Sequence, residues 1–166
     1  IEEAGRQKVP FTTGLLIGIG ETRIERVETL IALRDCHDRY GHIQEIIIQN
    51  FRAKAGTLMV NADEPSLEDL QWTIALARLI FGTNMSIQAP PNLSYEDARY
   101  LVKAGINDWG GVSPITPDHV NPEAPWPHLD NLETDTAKEG KVLVERLSIY
   151  PQYIKDFKVW PDKSLS

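Results

Sequence analysis

Thr12-Thr13-Gly14-Leu15-Leu16-Ile17-Gly18-Ile19-Gly20 is an unbroken apolar run punctuated by glycine. A strand that is apolar on both of its alternating faces is expected to be buried on both, the habit of a parallel strand covered by helices. Glu21 follows at the strand's C-terminal end. Thr22 and Glu25 then have the spacing of a capping box, and Ile24, Val27, Leu30 and Ile31 mark one helical face. Tyr40-Gly41 ends that helix in the usual C-terminal way.

The same unit repeats outward from this point. Ile43-Gln44-Glu45-Ile46-Ile47-Ile48-Gln49 predicts a second strand, with Asn50-Phe51 leaving its end. Residues 50–65 form a loop long enough to suggest a binding or lid role. Ser66 and Asp69 open the next helix, Leu67, Leu70, Ile74 and Ala77 form its buried stripe, and Gly82 closes it. Met85 to Gln88 is a third strand running into Ala89-Pro90-Pro91-Asn92, and Ser94 with Asp97 opens a helix that Gly105 closes. Residues 106–112 predict a fourth strand. After it, Pro114 to Pro127 reads either as a proline-rich connection or as a rigid ligand loop. A further helix is expected over roughly 134–149 with Val142, Leu143 and Leu147 apolar, then an irregular tail; residues 1–8 read as the end of a helix with Gly5 as its stop. The β-α-β-α-β-α-β order demands right-handed crossovers and a parallel sheet, so the fold class is α/β.

Composition narrows the function. The chain has 166 residues, and its 42% hydrophobic and 25% charged content describe an ordinary globular protein. A net charge of −7 without any basic run argues against a nucleic-acid surface. No apolar stretch approaches the ~20 residues of a membrane span, and no secretory apolar core is present near Ile1. A single cysteine, Cys36, excludes an internal disulfide and fits a reducing cytoplasm. It is expected to be a buried apolar residue of its helix. One thiol also excludes a metal or cluster site built from the cysteines of this chain alone.

In a parallel α/β protein, functional groups gather at the C-terminal ends of the strands. Those ends here carry Gly20-Glu21, Gln49-Asn50, Gln88 to Asn92, and Asp108 to Ser113. Amides donate and accept hydrogen bonds without imposing a charge, which suits an uncharged heteroaromatic ligand better than a phosphate or a metal. Gly18-Ile19-Gly20 lacks the third glycine of a dinucleotide turn, and no P-loop lysine is present. No histidine pair has helical i,i+4 spacing, so no metal ligands are assigned. Asp118-His119 reads either as an acid–base pair or as a stabilised turn. The residues alone thus describe an α/β enzyme segment with a ligand site at its strand ends.

Gly14-Leu15-Leu16-Ile17-Gly18-Ile19-Gly20-Glu21 resembles the GxIxGxxE fifth strand of radical S-adenosylmethionine enzymes, with Leu16 where Ile is usual. The stretches Gly41-His42-Ile43-Gln44-Glu45 through Phe51, Gln88-Ala89-Pro90-Pro91-Asn92-Leu93, and Asp108-Trp109-Gly110-Gly111-Val112-Ser113-Pro114 through Pro127 are more specific. Together they resemble the 7,8-didemethyl-8-hydroxy-5-deazariboflavin synthase (CofG) family across residues 4–155. The resemblance implies a radical S-adenosylmethionine (β/α) TIM-type barrel. Residues 1–127 would be its second half, strands five to eight, and 128–166 a C-terminal helix and tail on the same domain. A complete barrel takes ~250 residues. The CxxxCxxC loop that holds the family's [4Fe-4S] cluster does not occur here, so those ligands are expected in an N-terminal half outside this sequence.

The resemblance also implies an activity. S-adenosyl-L-methionine and the cluster would generate a radical that abstracts hydrogen from a tyrosine-derived adduct of 5-amino-6-ribitylamino-uracil. Ring closure with loss of ammonia would give the deazaflavin of coenzyme F420. The implied partners are this small-molecule substrate, a CofH-type enzyme (separate or fused) that makes the adduct, and the N-terminal half-barrel. A homodimer of half-barrels is a further expectation from the open edges. Carried over residue by residue, Gly14, Gly18, Glu21, Gln49 and Asn50 would bind the cofactor. Gln88, Asn92, Asp108, Gly110, Gly111 and Ser113 would face the substrate, and Asp118 and His119 would handle protons at ring closure. The competing readings are a radical enzyme of the menaquinone or biotin synthase type and a non-catalytic half-barrel.

Overall fold

The computed structural model describes residues 1–94, 98–113, 115–156 and 159–160. Helix α1 (Glu2–Arg6) leads to strand β1 (Phe11–Ile17), helix α2 (Arg23–Tyr40), strand β2 (Ile43–Asn50), helix α3 (Leu67–Phe81), strand β3 (Ser86–Gln88), a 3₁₀ turn at Pro91–Leu93 and helix α4 (Ala98–Ala104). Helices α5 (Leu129–Lys138) and α6 (Pro151–Lys155) follow. The caps explain where the helices start. The Thr22 hydroxyl accepts from the Glu25 amide while the Glu25 carboxylate accepts from the Thr22 amide at 2.7 Å, a complete capping box. Ser66 accepts from the Asp69 amide at 3.1 Å in the same manner. The corresponding pairing of Ser94 with Asp97 lies outside the described residues. Gly41, in the left-handed region at φ 67°, ends α2.

The strands pair in parallel in the order β1-β2-β3. Thr12, Gly14 and Leu16 face Glu45, Ile47 and Gln49, and Glu45 and Ile47 face Ser86 and Gln88. Paired residues of a parallel sheet project to the same side. One face therefore presents Ile17, Ile46, Ile48 and Ile87, all fully buried against Leu30, Leu70 and Ile74 of the helices. Each such side chain contributes ~1.5–3 kcal/mol by burial, so this layer holds the fold together. The opposite face is mixed: threonine, glutamate, glutamine and serine interrupt its apolar residues. Among the described residues no helix covers its centre; the segment after α5 crosses it instead, anchored through Arg146 and Tyr150.

Several expectations need correction. The fourth strand is reduced to one bridge between Gln88 and Asp108. The Asn107 side chain takes the Ile87 amide at 2.8 Å, where a strand's carbonyl would stand, and Gly110 at φ 72° turns the chain away. The predicted helix over 134–149 starts earlier and stops at Lys138, because Gly140 adopts φ 70° and reverses the backbone. Val142 and Leu147 are consequently exposed, and only Leu143 leans on the core. Helix α2 buries Leu30 of the expected stripe, but with Arg26, Leu33 and Cys36 beside it, while Ile24 is 70% exposed and Ile31 lies outward. Gly5 does not stop α1; it lies buried inside it against the Tyr40 ring. Nor is β1 buried on both faces, since Leu16 remains 44% exposed at the edge of the sheet. The expected irregular tail contains α6, whose Tyr153 hydroxyl reaches the Gly41 and Ile43 carbonyls at 3.0 and 3.1 Å.

Candidate functional site

Three polar groupings stand around the sheet: one in the turn after β1, one on the tail-side face beside the N-terminal half of β2, and one in the loop beyond β3. The first is the turn after β1. Glu21 accepts from the backbone amides of Gly18 at 2.7 Å and Ile19 at 2.9 Å, and Arg26 donates to it at 2.8 Å. Burial alone would raise the Glu21 pKa, but these bonds outweigh it and lower the value. Both carboxylate oxygens are thus occupied in shaping the turn. Gly18 has φ 91° and packs on the Pro65 ring, where a Cβ would meet Cδ at 2.5 Å. Gly14 lies against β2 so closely that a Cβ would overlap the Ile47 carbonyl. Arg26 is itself buried and reaches Thr73 at 3.2 Å, tying the turn to α3.

The second grouping lies on the tail-side face and draws together residues from distant parts of the chain. Asp108 accepts from Arg146 Nε at 2.5 Å and Nη2 at 2.8 Å, from the Tyr150 hydroxyl at 2.6 Å, and from the Gly110 amide at 2.6 Å. Arg146 also donates to Glu45 at 3.0 Å, and its guanidinium stacks 4.2 Å from the Tyr150 ring centroid. Gln88 completes the cluster: with its amide turned so that the nitrogen faces Glu45, it donates to that carboxylate at 2.8 and 3.2 Å. Two carboxylates share one guanidinium here, and their environments split them. Burial and then the Asp108 charge raise the Glu45 pKa, while the bonds from Arg146, Tyr150 and Gly110 overcome burial and lower that of Asp108. The same burial, with the Asp108 bond, pushes the Tyr150 hydroxyl well above the usual phenol range, so it stays a donor. A cavity of about 1170 Å³ opens beside this cluster, lined by Glu45, Gln88, Asp108, Gly110, Gly111 and Arg146 among others.

The third grouping is the loop beyond β3. Asn92 donates to Asp118 at 2.9 Å and to the Ala124 carbonyl at 3.0 Å, and Asp118 also accepts from Asn121 at 2.8 Å and the Val120 amide at 2.9 Å. Burial would raise Asp118, but these donors bring its pKa down to about 2. Such a carboxylate is a turn anchor in this conformation. His119 beside it is exposed, and the Ser113 hydroxyl oxygen accepts from the Ile115 and Thr116 amides just beyond it.

The sequence-derived candidates are thus distributed unevenly. Gln88, Asp108, Gly110 and Gly111 share one cavity. Gly14, Gly18 and Glu21 cluster around β1, and Asn92 joins Asp118. Gln49 and Asn50 diverge, because adjacent strand residues project oppositely: Gln49 lies on the tail side, and Asn50 is buried toward the helices. Glu45, Arg146 and Tyr150 were missed. An acid inside an otherwise apolar strand was a readable signal for Glu45, whereas nothing local marks Arg146 or Tyr150, which lie 101 and 105 residues further on.

Comparison with known proteins gives the same direction as the residue patterns. The chain is 55% identical over 163 residues to the FO synthase of Mycobacterium tuberculosis, which covers 98% of this chain and 19% of that protein. It is homologous to one segment of the FO synthases. The 7,8-didemethyl-8-hydroxy-5-deazariboflavin synthase of Methanothermobacter thermautotrophicus is 56% identical over 154 residues, 93% of this chain and 47% of the relative. That of Methanopyrus kandleri is 54% identical over 155 residues, with 93% and 46% covered. The chain therefore spans about a fifth of the mycobacterial relative and about half of the archaeal ones. A search of protein-family models gives no match.

Proposed function

We propose that this chain forms part of the wall of the reaction chamber of a radical S-adenosylmethionine deazaflavin synthase in coenzyme F420 biosynthesis, working in the cytoplasm. The identity of 55% along 98% of the chain carries this reading. The small parallel sheet with helices on one side and a polar, cavity-bearing face on the other is compatible with strands five to eight of a (β/α) barrel whose polar face is the lumen.

The chain's residues fit only part of the cofactor set. Among the described residues no group of three or more His, Cys, Asp or Glu is arranged to hold a metal. Cys36 is buried among the helices and is the one thiol. Cluster thiolates would come from elsewhere in the enzyme. By contrast, exposed Leu16 and Ile19 offer an apolar platform for an adenine beside the turn that Glu21 and Arg26 shape. S-adenosyl-L-methionine, when bound with its cluster, supplies the hydrogen-abstracting chemistry. The chain's own contribution would be to orient the substrate along the cavity lined by Gln88, Gly110 and Gly111, with Asp108 and Arg146 fixing its wall. A CofH-type partner would supply the tyrosine-derived adduct.

The test is a complete synthase carrying this segment, incubated with the partner's product, with deazaflavin read by its fluorescence. Deazaflavin formation that depends on the segment is expected. Cofactor cleavage without deazaflavin from an otherwise intact enzyme would favour a sibling reaction and overturn the reading.

A further inference from the structure

Beyond α5 the chain crosses the tail-side face as a strap that is fastened at several points yet leaves three apolar side chains in water. The Lys141 amide donates to the Thr136 carbonyl at 3.2 Å, and Leu143 packs against the core. Arg146 reaches Asp108 at 2.8 Å and Glu45 at 3.0 Å. Gln44 donates to the Ser148 carbonyl at 3.4 Å and accepts from the Tyr150 amide at 3.3 Å. Between these fastenings Val142, Val144 and Leu147 are 83, 74 and 70% exposed. Residues 141–147 have no regular structure, and among the described residues none of the backbone amides of 142–147 donates to another group of the chain. Exposed apolar side chains on an unpaired backbone make a docking edge. The side chains gain by leaving water, and the free amides can take the carbonyls of a strand laid beside them. Because the strap is already held in place, a partner need not order it on binding.

The face on which the strap lies says what covers it. In a closed (β/α) barrel the side of the sheet away from the helices looks inward, so a segment lying on it meets strands from the far side of the barrel. The Methanothermobacter relative, of which this chain spans 47%, has about as much sequence again outside the matched segment. We propose that the strap, through Val142, Val144 and Leu147, is a docking edge for the half of the synthase outside this chain, which lays an extended apolar segment along it. This contact is separate from strand pairing at β1 and at 106–112, because the strap is not part of the sheet. It would also complete the cavity wall that Val142 and Val144 border. The exposed edge stands on this chain alone; the identity of the occupant rests on the synthase reading.

Two measurements on a complete synthase carrying this segment test the dock. With a benzoylphenylalanine photo-crosslinker placed at Val144, irradiation should join the strap to peptides of the same polypeptide that lie outside this segment. Crosslinks confined to the segment itself would show that it covers its own strap, and a crosslinked dimer would show that a second copy does; either overturns the proposal. Hydrogen exchange read by mass spectrometry should find the amides of 142–147 at least roughly tenfold slower than unpaired amides. Val144→Lys should restore fast exchange there while α2 and β2 stay protected. Exchange at the unpaired rate in the unsubstituted enzyme, or protection that survives Val144→Lys, overturns the proposal as well. Failure of the deazaflavin assay with crosslinks and protection intact would remove the synthase activity and leave the dock standing. Deazaflavin made by an enzyme whose strap is neither crosslinked outside the segment nor protected would remove the dock alone.

Discussion

Replacing Arg146 by methionine removes the cation that bridges Glu45 and Asp108 while keeping most of the aliphatic stem. Three charge-assisted hydrogen bonds disappear, two to Asp108 and one to Glu45. The carboxylates stay dry, with side chains 10% and 7% exposed, whereas Arg146 itself is 26% exposed. Removing one partner of a fully buried pair costs about 3–5 kcal/mol. Because water already reaches the guanidinium and the Tyr150 hydroxyl and Gly110 amide still serve Asp108, about 2–3 kcal/mol is expected here. For a domain of this size that lowers Tm by roughly 5–10 °C. The sign with pH follows from the carboxylates. Without the cation both bind protons more readily in the folded state than in the unfolded one, so the loss is largest at neutral pH and shrinks on acidification through the carboxylate range. Thermal melts of wild type and Arg146→Met at several pH values give the answer directly. A variant that melts within about 1 °C of wild type at neutral pH, with no added pH dependence, would show that the segment after α5 does not hold to the sheet through this network, and the reasoning fails.

Gln49→Ala, on the tail side, should lower turnover in a complete enzyme with little loss of stability, whereas Asn50→Ala, buried toward the helices, should cost ~1–2 kcal/mol in a chemical melt. A melt that drops for Gln49→Ala instead would exchange their roles. Asp118 has its pKa lowered to about 2, so the stability it contributes is present above the ordinary aspartate range and lost as pH falls toward that value. Discounted for its partial exposure this is about 1 kcal/mol, and Asp118→Asn should flatten that part of the acid unfolding profile; an unchanged profile would deny the anchor role. Strand β1 is a sheet edge with Leu16 exposed, so the isolated chain should self-associate at micromolar concentration in light scattering. A single monomeric species with a sharp melt would contradict this.

The sequence by itself determined the parallel βα frame. Its signals are local: hydroxyl caps such as Thr22 and Ser66, helix stops at Gly41 and Gly82, and strand runs apolar on successive residues. It also brought Gln88, Asp108 and Gly110 forward as neighbours in function, because strand ends converge in any parallel sheet. It failed where a local signal was outweighed by a non-local one. Helical periodicity across 134–149 lost to the left-handed turn at Gly140. The run at 106–112 closed to one bridge because the Asn107 side chain takes the Ile87 amide. Helix α2 turned Arg26 inward, since Glu21, Asp69 and Thr73 from other elements satisfy its charge and hydrogen bonds there. Only the tertiary structure decided which way the Gln88 amide points and what holds Asp108. That depends on Glu45, Arg146 and Tyr150 meeting from two ends of the chain, and a hydrogen bond's direction is set by the atoms opposite it, which no stretch of sequence around Gln88 contains.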